Sequence, residues 1–171
     1  MLHPVEPIKI YLCGYIGGPA VIDKCIEWRQ RIVEKYNDYK GDGQRYPIVW
    51  LDPINGKDCK FMDKHGLKSN VPSHAIMHRD YQCVMRADLI VANMDTFGQE
   101  RPLIGSVFEL AWAWEHHKPI ILITDNPMYT EHPFLSYAAS HVVSSVDDLL
   151  EKKVINYYFK GWNDAIYYEE K

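Results

Sequence analysis

No apolar stretch in the sequence approaches the ~18 residues of a membrane-crossing helix, and Met1-Leu2-His3-Pro4 is not a basic region followed by an apolar run. Neither a membrane span nor a secretory leader is expected. Cysteine is sparse. Cys13, Cys25, Cys59 and Cys83 are scattered through 171 residues with no C-x-x-C pair, which excludes a disulfide framework and makes a reducing, cytoplasmic setting the simplest expectation. Positive charge is not in surplus either. With 19 Lys and Arg against 23 Asp and Glu, the net charge is −4, which disfavours a nucleic-acid polymer or an anionic bilayer as partner. Small anions remain accessible to backbone N–H groups at a helix start. What the sequence does contain is a core: 47% hydrophobic and 25% charged residues form a globular profile, at a length that suits one domain over residues 1–171.

Apolar strand patterns alternate with helical ones. Ile8 to Cys13 reads as a strand running into the turn Gly14-Tyr15-Ile16-Gly17-Gly18-Pro19, and the apolar positions from Ile22 to Val33 recur near a 3.6-residue period. Pro47 to Leu51 is a short strand, followed by about twenty turn-rich residues from Ile54 to Ser73. A helix from about His74 to Arg86 leads into the strand Leu89 to Ala92. Another from about Ser106 to His117 leads into Ile120 to Ile123, and a short helix, an edge strand at His141 to Val143 and a helix near Val146 follow. This order predicts an α/β fold, a flavodoxin-like three-layer sandwich whose mostly parallel sheet has about five strands. Ligands bind outside the carboxyl ends of such strands, a rim that here collects residues 14–18, 93–105 and 124–126.

Two carboxylates sit in apolar company. On the helix from His74, Asp80 is the only charge in a stripe with Ile76, Cys83, Val84 and Ala87. Burial turns such a group into an acid of raised pKa unless it is half of a buried salt bridge, for which Arg79 and Arg86 are at hand. Glu109 lies in Val107-Phe108-Glu109-Leu110-Ala111-Trp112-Ala113-Trp114. Ser106-x-x-Glu109 matches a capping box, in which the glutamate satisfies a backbone N–H in the first turn. The same position would keep a carboxylate ionised by the helix dipole, as a nucleophile requires. One ionised and one protonated carboxyl is the division of labour that glycosyl transfer needs.

Three blocks carry a family resemblance. Ile10 to Gly18, Arg79-Asp80-Tyr81 with Ala87 to Asn93, and Gly105 to Ala113 resemble the first strand and glycine turn, the aspartate helix with its following strand, and the nucleophile helix of the nucleoside 2-deoxyribosyltransferases and the related 2′-deoxynucleoside 5′-phosphate N-hydrolases. The resemblance implies Glu109 as nucleophile forming a 2-deoxyribosyl intermediate, Asp80 as proton donor to the departing base, and Tyr11 as the group orienting Glu109. Substrate contacts would come from Gly14, Tyr15, Ile16, Gly17 and Gly105, with Asn93, Asp95 and Ser106, in a segment extended relative to shorter members, as candidates for the sugar end, and no cofactor and no metal is implied. The partners implied are a nucleoside or nucleotide and a free nucleobase. The reaction would be transfer of 2-deoxyribose between bases, with hydrolysis of a nucleoside or its 5′-monophosphate, or non-catalytic nucleotide binding, as alternatives. Two positions depart from the pattern. Leu103 stands where the transferases carry an acid for the sugar hydroxyl and the nucleotide hydrolases a serine for phosphate, and Gly17 stands where the hydrolases place an arginine.

His74 and His78, with Cys59, Asp63 and His65 before them, have the spacing of metal ligands but match no zinc motif, and Gly14-x-x-Gly17-Gly18 is too loose for a dinucleotide fingerprint. A helix apolar on every side from Phe108 to Trp114 needs more cover than one sheet face provides, which predicts a homo-oligomer, a dimer or larger. The aromatic tail from Tyr157 to Tyr168 is similar to a family C-terminus that lies near a neighbouring subunit's site.

Overall fold

The computed structural model describes residues 7–37, 48–55, 62–63, 66–67 and 72–159. Cys59 and His65, most of the loop before His74, and Trp162, Tyr167 and Tyr168 lie outside the described residues. In chain order the elements are β1 (Ile8–Gly14), α1 (Ile22–Asn37), β2 (Ile48–Leu51), β3 (Met62–Asp63), β4 (Gly66–Leu67), α2 (Ser73–Arg86), β5 (Leu89–Asn93), α3 (Ile104–Glu115), β6 (Ile120–Ile123), α4 (Pro127–Thr130), α5 (Pro133–Ala138), β7 (His141–Val143) and α6 (Val146–Glu151), then a 3-10 turn at Val154–Tyr158. β3 and β4 pair only with each other, antiparallel. The other five strands form one sheet in the order β2-β1-β5-β6-β7, and every pairing in it is parallel. This is the flavodoxin-like arrangement, fully rather than mostly parallel.

Strand alternation sorts the core into two layers. Tyr11, Cys13, Ile90, Ala92, Ile120 and Leu122 point to the side covered by α2 and α3. Ile8, Ile10, Leu12, Leu89, Val91, Ile121 and Ile123 point to the other, where Trp28 and Ile32 of α1 and Val146 and Leu149 of α6 cover them. Most of these side chains are fully buried, each contributing roughly 1.5–3 kcal/mol to the folded state. No helix among the described residues is long and apolar enough to cross a membrane.

The chain steps from β1 to β2 at one edge and returns on the far side of β1 as β5. The strand order therefore reverses between β1 and β5, opening a crevice at their carboxyl ends. There Gly14 pairs with Asn93. A side chain at Gly14 would put its Cβ 2.9 Å from the Asn93 carbonyl and 3.0 Å from Trp28 Cζ2, so only glycine lets the two backbones and α1 meet. Arg29, buried to 1% exposure, ties this corner together. Its guanidinium donates to the carbonyls of Cys25 at 2.5 Å and Gly14 at 3.2 Å, pairs with Asp52 at 3.4 Å and lies over the Trp28 ring.

Candidate active site

On the α2/α3 side of the crevice, alternation along β1 puts Tyr11 and Cys13 in the floor. Among the described residues, Asp80 of α2 and Glu109 of α3 are the acidic residues buried on this side, at 8% and 9% exposure. Both line one cavity of about 330 Å³, walled by Gly14 at the end of β1, Tyr15 and Ile16 after it, Pro53 after β2, and residues 101–106 entering α3. Two carboxyls from separate helices thus meet across one pocket at the sheet's rim.

Asp80 is held by its neighbour. Arg79 Nη2 pairs with Asp80 Oδ1 at 3.1 Å and donates to the Pro53 carbonyl at 2.7 Å, while Nη1 donates to the Asn55 carbonyl at 3.3 Å. The ion pair suggested by the sequence is therefore present, and it faces the pocket. Pro53 is set in the wall by Asp52, whose side chain accepts from the Ile54 N–H at 2.9 Å.

Among the described residues Glu109 forms no ion pair. Burial pushes its carboxyl up to about 7; the Cys13 thiol opposes the rise, the Asp80 charge adds to it, and Tyr11 and Arg29 oppose it. Burial, and then the Glu109 charge, also push the Tyr11 phenol far above its ordinary value and raise the Cys13 thiol. Both stay protonated as donors. The Tyr11 hydroxyl lies against the carboxyl without closing a well-formed hydrogen bond, and the Cys13 thiol also reaches the Ser106 carbonyl at 3.9 Å.

The capping box expected at Ser106 does not form. α3 starts at Ile104 with Leu103 as N-cap and no side-chain cap, which makes Glu109 the sixth helical residue, beyond the first turn where the dipole is felt. The Val107 N–H already bonds the Leu103 carbonyl at 2.9 Å. Glu109 therefore has no capping role, and burial rather than the dipole governs its charge.

The sequence profile of one family, nucleoside 2-deoxyribosyltransferase, matches residues 10–157 and so takes in every wall of this pocket. The chain belongs to the nucleoside 2-deoxyribosyltransferase family. No curated protein matches it in sequence. Among solved structures, a conserved protein from Enterococcus faecalis V583 shares the fold with a TM-score of 0.61 and 19% identity over 88% of this chain and 99% of that one. A CMP N-glycosidase from Clostridium botulinum aligns with a TM-score of 0.48 and 17% identity over 86% and 98%, and a 2-desoxiribosyltransferase from Leishmania mexicana with 0.45 and 21% over 78% and 73%. Membership makes this chain an enzyme of the nucleoside 2-deoxyribosyltransferase kind.

Most of the family-implied residues converge: Glu109, Asp80, Gly14, Tyr15, Ile16, Gly105 and Ser106 line the pocket, with Tyr11 buried beneath. Gly17 stands behind the wall. A Cβ there would come within 2.3 Å of Val21 Cγ2 and 2.6 Å of Tyr15 Cε1, so its lack of a side chain is what lets the Tyr15 ring pack. Asn93 and Asp95 are elsewhere. Asn93 shares the strand face of Leu89 and Val91, opposite Ala92, and with Asp95 it lines a separate cleft of about 580 Å³ over α1 and α6. There Asn93 Oδ1 accepts from the Asp95 N–H at 3.0 Å and Asp95 Oδ1 from the Phe97 N–H at 2.6 Å. The expected sugar contact from these two residues is corrected by strand alternation. His74 and His78 are exposed on α2. Residues the sequence did not single out are Cys13, whose signal was its i+2 spacing from Tyr11, and Arg101, which lines the pocket and had no signal.

Proposed function

We propose that this pocket cleaves the N-glycosidic bond of a 2-deoxynucleoside and passes the sugar to a second base. Glu109 attacks the anomeric carbon, forming a C–O bond as the bond from carbon to base nitrogen breaks, and Asp80 delivers a proton to the departing base. Burial leaves a proton on Glu109 near neutrality. Passing it to the base by way of Asp80 ionises Glu109 when its charge is needed. Arg79 orients Asp80, and Tyr11 orients Glu109. In the second half an incoming base loses its proton to Asp80 as its nitrogen attacks the sugar, freeing the Glu109 carboxylate. The observation that carries this reading is the shared cavity of Asp80 and Glu109 above two protonated donors.

Incubation of a deoxynucleoside with and without a second free base, followed by chromatography, is the test. Exchange is expected in the presence of the second base. Base release independent of any acceptor base makes water the acceptor and the enzyme a hydrolase, and no release in either condition rejects glycosyl chemistry.

The same reading includes a homo-oligomer. The outward face of α3 exposes Val107, Phe108 and Trp114, the last at 60%, and the adjoining α5 exposes Phe134 and Tyr137. Such a stripe is a self-association surface rather than a solvent face. Light scattering on the purified chain is expected to give a dimer or larger species, converted to monomer by Phe108→Asp with Trp114→Glu. A monomeric wild type at micromolar concentration rejects it.

A further inference from the structure

We propose that Arg101 is a specificity-determining residue: it clasps the span over the pocket mouth to the opposite wall and so favours a base over water as acceptor of the sugar. The inference rests on the proposed glycosyl transfer.

Two segments outside the sheet face each other across the pocket, Tyr15 and Ile16 after β1, and Arg101, Pro102 and Leu103 before α3. They continue neighbouring strands, but the ladder between β1 and β5 ends where Gly14 pairs with Asn93. Beyond that pair the backbone ladder no longer sets the separation of the two walls. Arg101 spans the gap. Its Nη2 donates to the Ile16 carbonyl at 2.5 Å, and its guanidinium lies 4.9 Å from the centroid of the Tyr15 ring, a charged donor and a cation on an aromatic face acting between the same two segments. Arg101 is exposed while lining the pocket, which puts this contact at the mouth.

The chain on either side of the clasp is anchored. Phe97 packs against both core layers and stands in the left-handed region at φ 56°, a conformation that a bulky residue holds only where its surroundings enforce it. The turn it makes with Gly98 is closed by the Gln99 N–H on the Thr96 carbonyl at 3.1 Å. At the other end Leu103 is buried. Residues 98–102 between these anchors are exposed, a short span fixed at both ends and tied across the mouth by one side chain.

The tie bears on the second half of the reaction. The sugar on Glu109 can be taken by water as well as by a base. The water oxygen bonds to the anomeric carbon as the bond from that carbon to the Glu109 oxygen breaks, the electron pair returns to the carboxylate, and the proton of the water passes to Asp80. Both acceptors use the same two carboxyls, so access separates them. A base that enters while the mouth is open is retained when it closes, whereas the supply of fresh water grows with the time the mouth stays open.

The experiment compares wild type, Arg101→Ala and Arg101→Lys on the common 2-deoxynucleosides in turn, each with and without a second free base, and reads the ratio of exchange to hydrolysis. Arg101→Ala is expected to lower that ratio about tenfold and to raise base release in the absence of an acceptor, a gain that damage to the site does not produce. Arg101→Lys should recover part of the ratio, since an ammonium can donate to the Ile16 carbonyl but has no planar face to lay on Tyr15. Thermal melts check that the variants stay folded. An unchanged ratio overturns the inference. So does a lower ratio without faster acceptor-free release, because Arg101 then only holds the base, and so does a wild type that hydrolyses without exchange, because water then enters past the clasp. Each of these outcomes leaves the glycosyl chemistry standing. No base release from the folded wild type defeats the glycosyl-transfer reading itself, and the clasp with it.

Discussion

Glu109→Gln is expected to lower kcat/KM for base release by at least about 10⁴-fold while the protein stays folded and retains ligand binding. An amide fills the space of the carboxyl but cannot attack carbon. Because α3 is not capped by this side chain, its helix start loses nothing. In the wild type, kcat/KM should fall about tenfold per pH unit above about 7, where Glu109 has lost the proton that Asp80 must pass to the departing base. Mass spectrometry of the wild type quenched with substrate should find a deoxyribosyl adduct on the peptide carrying Glu109, absent from the variant. Undiminished turnover in the variant, or an adduct on another residue, removes Glu109 from the reaction.

The second large effect is on stability, and its sign is opposite to that of most buried side chains. The folded Glu109 carboxyl titrates near 7 rather than at its ordinary 4.5. Between those values the folded protein holds a proton that the unfolded chain has released, so stability falls as pH rises through this window, by roughly 3 kcal/mol in all. Below it the group is neutral in both states and costs nothing. Glutamine does not titrate. Glu109→Gln should therefore match the wild type in denaturant unfolding near pH 4.5 and exceed it by up to about 3 kcal/mol at pH 8. A difference that is the same at both pH values refutes the assignment of this cost to Glu109's charge.

The fold was readable in the sequence because its strands are dense in Ile, Leu and Val and its helices carry clear periods, so the order of elements dictated the parallel sheet. Tyr11, Asp80 and Glu109 were readable through the family blocks and through two acids standing out among apolar neighbours. The start of α3 was misread because Ser106 is a better cap by residue type than Leu103. Burial of Leu103 and its bond to Val107 outweigh that local preference, and the helix begins two residues before Ser106. Asn93 was misplaced for a different reason. Residues on one rim were treated as sharing one pocket, whereas the sheet divides its rim into two clefts, and the alternation of Leu89, Val91 and Asn93 against Ile90 and Ala92 already assigned Asn93 to the other. Arg101 could not be found at all, since a charge in a polar loop looks like any solvated arginine until the loop is folded.

The pocket floor and the hydrophobic core are written in one register. Tyr11 and Cys13 lie under the pocket only because Ile10 and Leu12 face the opposite layer, and a shift of β1 by one residue would exchange them. The turn at Tyr15 and Ile16 and the approach from Arg101 to Gly105 wall the same cavity without belonging to any strand. The shape of the pocket is accordingly open to change at those two segments, while Tyr11 and Cys13 beneath it are frozen for as long as the sheet is to fold.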